Sequence, residues 1–385
     1  MKLPKISVTA VGDMLIQRVI STEYDGFKEV SEYIKKGDVR FFNFESIIYR
    51  EGIWGNQFNG GSFHNSDIKT LDIAKEYGFN MMTFANNHTF DWGYGGLIST
   101  LDALKTTKFV HSGVGMNLDE ASAPAYLDTK NGRVALISMA SSIAGAPAMA
   151  GKQSRRVPGR PGVNALRTNK HIEVTKEQYD MLGKIAEVSG VNDNLKISRA
   201  EGYSAVKEDN SKIEFGKMIE FRLGEQTKYH ETLNEKDMER LEKSIYEAKF
   251  QADYILVSIH SHQLTGSAKE NPSEFLVEFA HRCIDMGAHA VLGHGPHLLR
   301  PLEIYKNRPI FYSLGDFMLH NESVEFGGVA FQHLSSVESH YLTSNEFGST
   351  QNRQLPTAEI RPMPLGDLDK DDIAAFFSIG RLLCE

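Results

Sequence analysis

The run Ala290-Val291-Leu292-Gly293-His294-Gly295-Pro296-His297 sets two imidazoles three residues apart, directly after an apolar stretch. Such a stretch reads as a buried parallel strand. In open α/β sheets, ligands lie just beyond the carboxyl ends of strands. Imidazole is the commonest metal-binding side chain, so a rigid loop carrying His294 and His297 supplies half of a metal site. Gly293 and Gly295 permit close backbone approach, and Pro296 fixes one φ angle. Taken alone, the motif is equally well read as a loop with surface histidines.

Four more segments share this arrangement of an apolar run followed by polar donors. Ile6 to Val11 leads into Gly12-Asp13, Val39 to Phe42 into Asn43-Phe44-Glu45, Met81 to Phe84 into Ala85-Asn86-Asn87-His88, and Tyr254 to Ile259 into His260-Ser261-His262. Five strand ends that each offer Asp, Glu, Asn or His point to a single converged site. Carboxylate, imidazole and amide oxygen together suit Mn²⁺, Fe²⁺ or Zn²⁺. A bound divalent ion brings the pKa of a water towards 7, and an uncoordinated imidazole nearby, His88, can then protonate a leaving group. Asp91 has two readings: it orients His88, or it caps the helix starting near Gly95. His64, in Gly60-Gly61-Ser62-Phe63-His64, lines the cleft or is a surface loop residue. His262 is expected to face away from His260 and is left out of the ligand set.

The elements that would position these residues alternate between strand and helix, as in βαβ units. Asp67 to Tyr77 reads as a helix stopped by Gly78, followed by a strand over Phe79 to Phe84. Gly95 to Leu104 is helical and Val134 to Met139 is a strand. The amphipathic helix Asn234 to Gln251 presents Met238, Leu241, Ile245 and Ala248 on one face and feeds the strand ending at His260. Ser273 to Met286 is a helix closed by Gly287, and Pro309 to Leu314 is a last clear strand before Gly315-Asp316-Phe317.

One interruption runs from Ala140 to about Asn210. Its density of Gly and Pro, as in Pro158-Gly159-Arg160-Pro161-Gly162, predicts a loop-rich insertion rather than part of a sheet, with a polar helical stretch after it. It carries Arg155, Arg156, Arg160 and Arg167. Guanidinium forks suit carboxylate and phosphate, so the cluster either receives an anionic substrate or is a solvated basic loop. From about residue 320 the chain is polar and weakly periodic, with Thr357 to Leu365 a candidate return to the sheet.

The 385 residues, 41% hydrophobic, suffice for one large α/β domain with insertions. A net charge of −8 argues against broad nucleic-acid binding. Two cysteines, Cys283 and Cys384, build neither a disulfide framework nor a thiolate zinc site, and Cys283 fits a buried helix face. The chain enters its first strand almost at once, without a signal-like apolar region. No run reaches the roughly 18 apolar residues of a membrane span. A cytoplasmic location is therefore expected.

The blocks Gly12-Asp13, Asn43-Phe44-Glu45, Ala85-Asn86-Asn87-His88-Thr89-Phe90-Asp91-Trp92-Gly93, Gly293-His294-Gly295-Pro296-His297 and Tyr312-Ser313-Leu314-Gly315-Asp316-Phe317 resemble the capsule-biosynthesis CapA family. That family is linked to poly-γ-glutamate capsule synthesis and is similar in turn to the calcineurin-like metallophosphoesterases. The resemblance implies two mixed β-sheets packed face to face and flanked by helices. It implies metal ligands at Asp13, Glu45, Asn87, His260, His294 and His297, holding one or two ions, with His88 as general acid. The phosphoesterases' Gly-Asp-x-His opening is only partly kept, since Leu15 stands where the histidine belongs, and Glu45 takes the place of a bridging aspartate. Three functions remain compatible with this: a metal-dependent hydrolase of a phosphoester or γ-glutamyl-type amide, a non-catalytic protein that handles capsule polymer, and a small-molecule enzyme on a borrowed scaffold. The partner in each case is an anionic small molecule or a poly-γ-glutamate-like polymer.

Overall fold

A computed structural model of the protein describes residues 5–203, 209, 211–216 and 218–320. Two sheets carry the site. The first has the order β17 (Asp316–Leu319), β1 (Val8–Leu15), β2 (Val39–Phe44), β3 (Met81–Thr83), β4 (Val110–Ser112) and is parallel throughout. The second has the order β15 (Leu302–Tyr305), β16 (Arg308–Phe311), β14 (Ala290–His294), β13 (Tyr254–His260), β7 (Gly132–Ala140), β6 (Ala125–Thr129). It is mixed: its interior pairs are parallel, and β15 and β6 run antiparallel at the two edges.

Side-chain alternation along the strands divides the core into three layers. Ala10, Val39, Phe41 and Met81 of the first sheet meet Val134, Leu136, Leu256, Ala290 and Leu292 of the second, so the sheets are packed face to face. The intervening residues turn outward. Phe42 and Phe44 pack with α1 (Phe27–Ile34), α2 (Thr70–Tyr77) and α3 (Gly93–Lys105). Ala135, Ile137, Ile255, Val257 and Val291 pack with α7 (Glu235–Gln251) and α8 (Glu274–Met286). Met238, Leu241, Ile245 and Ala248 form the buried face of α7, as their spacing predicts. Gly78 and Gly287 close α2 and α8 in the left-handed region, at φ 95° and 114°.

The structure departs from the sequence signals in two places. Pro309 to Leu314 does not stay one strand: β16 ends at Phe311, and the chain crosses over to add β17 to the first sheet beside β1. The insertion begins with the expected loops, which hold a short 3₁₀ turn at Ala146–Ala148 and β8 (Gly162–Val163); β8 pairs with β5 (Val114–Gly115), which lies earlier in the chain, just before α4 (Leu118–Ser122). From its later part onward the expectation of no sheet fails: β9 (Thr168–Val174), β10 (Lys212–Phe215), β11 (Ile219–Leu223) and β12 (Lys228–Leu233) form a four-stranded sheet of order β10-β11-β9-β12, with α5 (Lys176–Ser189) and α6 (Asp193–Ala200). These strands are short and half-polar, so a helical or loop reading of their composition misses them. Thr357 to Leu365 and Cys384 lie outside the described residues. Among the described residues, no helix is long and apolar enough to cross a membrane.

Asp237 on α7 ties the insertion to the main body. Its carboxylate is 1% exposed. It accepts from the Arg167 backbone N–H (2.9 Å) and Nε (2.9 Å), and from Arg167 Nη2 (2.8 Å) and Arg240 Nη1 (2.6 Å). Burial pushes this carboxyl up, but the two guanidiniums and the N–H outweigh it and hold the group below the usual carboxylate range. Asp237→Ala is expected to cost about 3 kcal/mol, because it leaves charges without a partner. The gap between wild type and variant should be constant above about pH 4, the unfolded carboxylate value, and should shrink as the pH falls below it. Urea unfolding of both proteins across that range checks both statements.

Candidate metal centre

The same alternation that fills the inter-sheet layer delivers the polar residues. Phe41, Asn43 and Glu45 follow one another at a spacing of two, as do Leu256, Ser258, His260 and His262, and as do Ala290, Leu292 and His294. Each series begins with an apolar residue between the sheets and ends with donors at the carboxyl end of its strand. β1 reaches the same side by a different route. Ala10 pairs with Phe41 and Asp13 with Asn43, so β1 spends three residues where β2 spends two. This β-bulge turns Asp13 towards the second sheet. Gly12 forms the bulge, and the Asp13 N–H donates to the Gly315 carbonyl at 2.8 Å.

His260 lies at the centre, fully buried. Its Nδ1 is 2.9 Å from His294 Nδ1 and its Nε2 is 3.1 Å from His262 Nε2. Glu45 Oε1 is 3.6 Å from His260 Nε2 and 3.9 Å from His88 Nε2. Asp13 Oδ1 accepts from Asn43 Nδ2 at 2.7 Å and Oδ2 from the Gly295 N–H at 2.9 Å. His294 Nδ1 and His297 Nδ1 stand 3.6 and 3.7 Å from the Asp13 oxygens, and His297 Nδ1 is 2.9 Å from Asp316 Oδ1. Three overlapping groups, Asp13-His260-His294, Glu45-His260-His262 and Asp13-Glu45-His297, each bring their donor atoms within 4.8 Å of one another.

Two buried acceptors in this cluster have no hydrogen-bond partner, Glu45 Oε1 and Asn87 Oδ1. Asn87 Nδ2 donates to the Gly60 carbonyl at 3.1 Å, which fixes which way the amide faces. An unpartnered buried oxygen costs free energy, and two beside a knot of imidazole nitrogens fit a cation as the missing partner. The donor set of carboxylate, imidazole and amide oxygen therefore fits a divalent ion of the Mn, Fe or Zn type.

His88 sits on the 3₁₀ turn Asn87–Phe90, whose N-cap Asn86 side chain accepts from the His88 N–H at 3.1 Å. His88 Nδ1 is 2.7 Å from Asp91 Oδ2. Asp91 also accepts from the Gly60 and His64 N–H groups, at 2.8 and 2.9 Å. Asp91 does not cap α3: the residue preceding that helix is Trp92, and no side chain caps it. His64 is buried, with its ring edge-on to His88 at 4.1 Å between centroids. Gly60 has room for no side chain, since a Cβ there would come within 2.8 Å of both the His88 and Asn87 side chains.

Burial dominates the local electrostatics. It pushes Asp13 up to about 6 and Asp91 up to about 8, and raises Glu45 well above the carboxylate range, with the charges of Asp13 and Asp316 adding to the effect. Burial pulls His64, His88, His262 and His294 down to about 3, and takes His260 well down with help from the surrounding imidazoles. His297 moves the other way: burial opposes its charge, but Asp316 and Asp13 together raise it. A bound cation would bring the raised carboxyls back down, and it would use the imidazoles in the neutral form that burial already favours.

The cluster thus brings together Asp13, Glu45, Asn87, His88, Asp91, His260, His294, His297 and His64. His262 is a correction. Residues two apart on a strand share a face, so it turns in beside His260 rather than away. Asn43 and Asp316 stand in the sequence motifs without an assigned role; the shared parity of Asn43 and Glu45 is the available signal, whereas nothing local places Asp316 beside Asp13. Among the arginines, Arg155, Arg156 and Arg160 are exposed, and the Arg160 Nε donates to the Met149 carbonyl at 3.1 Å. The Arg167 guanidinium is already committed to Asp237.

Residues 7–321 match the family model described as bacterial capsule synthesis protein PGA_cap. The uncharacterized protein y4sH of Sinorhizobium fredii is 34% identical over 319 residues, covering 81% of this chain and 65% of that protein. Capsule biosynthesis protein CapA of Bacillus anthracis is 25% identical, covering 82% of this chain and 60% of its own length. The chain thus spans slightly less than two thirds of these relatives. A solved structure, a hypothetical protein from Thermus thermophilus, aligns over 80% of this chain and 76% of its own, with a TM-score of 0.37 and 11% identity.

Proposed function

The chain belongs to the bacterial capsule synthesis protein family PGA_cap, whose fold is metallophosphoesterase-like, and from this we propose that it is a metal-dependent hydrolase of poly-γ-glutamate capsule metabolism that cleaves a phosphoester or a γ-glutamyl-type amide. The observation that carries the reading is His88. It is an imidazole oriented by Asp91, with its Nε2 turned towards the unpartnered oxygen of Glu45. An oriented imidazole aimed at the cluster is what proton transfer to a leaving group requires, and this supports catalysis over binding alone.

Asp13, Glu45, Asn87, His260, His294 and His297 would hold the metal, with His262 joining them. Asp13, Glu45 and His260 each belong to two of the donor groups, and of these the two carboxylates, with two oxygens each, would be able to serve two ions. When bound, the metal supplies a water of lowered pKa and polarises the scissile group. The protein's own groups do the rest. Asp91 keeps the His88 ring fixed through Nδ1, leaving Nε2 to pass a proton to the leaving group. His64 and the Gly60 backbone wall the ring on its other sides. Arg155, Arg156 and Arg160 receive the anionic substrate, a poly-γ-glutamate-like polymer or an anionic small molecule.

Elemental analysis of protein purified without chelator should find one or two equivalents of Mn, Fe or Zn. His260→Ala and His294→Ala should weaken metal binding by more than about tenfold. Wild-type protein that takes up none of these metals would overturn the reading. Metal binding without turnover on a panel of phosphoesters and γ-glutamyl amides would retire the hydrolase and leave a polymer-binding protein.

A further inference from the structure

A second group of metal-type donors lies on the insertion sheet. β9 and β12 are antiparallel, and His171 stands directly opposite His230. Directly opposed residues share a face, as do residues two apart on one strand, so Glu173 joins the two imidazoles. The rings are nearly parallel, tilted 12° at 4.9 Å between centroids. His230 Nε2 is 3.2 Å from Glu173 Oε2, yet the two are not aligned for a hydrogen bond, and this buried nitrogen has no hydrogen-bond partner. One donor atom from each of the three residues lies within 4.8 Å of the others. Bonds of about 2.0–2.2 Å in a tetrahedral ion put its donors roughly 3.3 Å apart, close to the His230–Glu173 spacing. The neighbouring cations have other partners: Arg222 and Lys212 both pair with Glu220, and Lys228 pairs with Glu274. The charge of Glu173 is therefore left for the histidine pair.

We propose that His171, Glu173 and His230 bind a divalent transition ion of the Zn²⁺ type, separate from the central cluster. Two imidazoles and one carboxylate form a three-ligand set that leaves a fourth position for water. Its donors come from two adjacent strands, so the ion clamps β9 to β12.

Calorimetric titration of metal-stripped full-length protein with Zn²⁺ tests this. Wild type should bind one equivalent more than His171→Ala or His230→Ala, and Glu173→Gln should bind that equivalent about tenfold or more weakly. His294→Ala should retain it, because that substitution touches only the central cluster. Equal stoichiometry in wild type and both histidine variants, with unchanged circular dichroism, would overturn the proposal. Should a variant fail to fold, carbethoxylation of the wild-type protein, mapped by mass spectrometry, gives the same answer. Zn²⁺ should protect His171 and His230 together, and modification unaffected by Zn²⁺ would refute the site.

Discussion

His88→Ala should lower turnover by about 10²–10⁴-fold while the protein keeps its fold and its metal. The substitution removes an imidazole that touches Asp91 through one nitrogen and faces the cluster with the other. Asp91 keeps its two backbone donors, from Gly60 and His64, so the loop around it has a reason to stay in place. Steady-state kinetics on a chromogenic phosphoester or γ-glutamyl anilide, run beside elemental analysis, separates the outcomes. Loss of metal in this variant would put His88 in the coordination set. Unchanged turnover would remove it from the chemistry altogether.

The second large effect concerns a residue with no side chain. A Cβ on Gly12 would lie 1.8 Å from the Gly315 carbonyl oxygen. That contact is with backbone, so no side-chain rotation relieves it, and β1 must part from β17. Gly12→Ala is expected to cost about 3 kcal/mol or more and to weaken metal binding as well, since the bulge that aims Asp13 is the part displaced. Gly52→Ala is the control. Gly52 has positive φ, but a methyl group placed there would meet nothing within 4 Å, so only the left-handed backbone penalty of about 1–2 kcal/mol applies. Thermal unfolding of the two variants, with metal titration of each, checks the contrast. Equal losses at the two positions would show that the bulge is not held as tightly as the contact implies.

Most of the centre was legible because its signal is local. Each of the five strand ends carries its donors within a few residues of an apolar run, and strand parity then decides which donors face inward. Applied strictly, that parity would also have admitted His262. What local patterning does not carry is pairing between distant segments. Asp316 reaches Asp13 only because β17 leaves the second sheet's neighbourhood for the edge of the first, and no residue near 316 announces a change of sheet. The bulge at Gly12 was invisible for a similar reason: it is defined by the register against β2, not by the residues of β1. The small sheet of the insertion was missed because its strands are half-exposed and carry charges on both faces, which blurs the period-two pattern.

The pairing of β1 with β17 also sets an order of events during synthesis. Asp13 and the Gly295 N–H that holds it are 282 positions apart, and β17 lies further on still. A nascent chain stopped before residue 290 can form β1, β2 and β3 in register, but it has neither His294 nor the strand that shields Asp13. Contacts closed over such separations form slowly. A metal held by these donors would therefore enter at the final stage of folding, after nearly every residue up to 319 has left the ribosome.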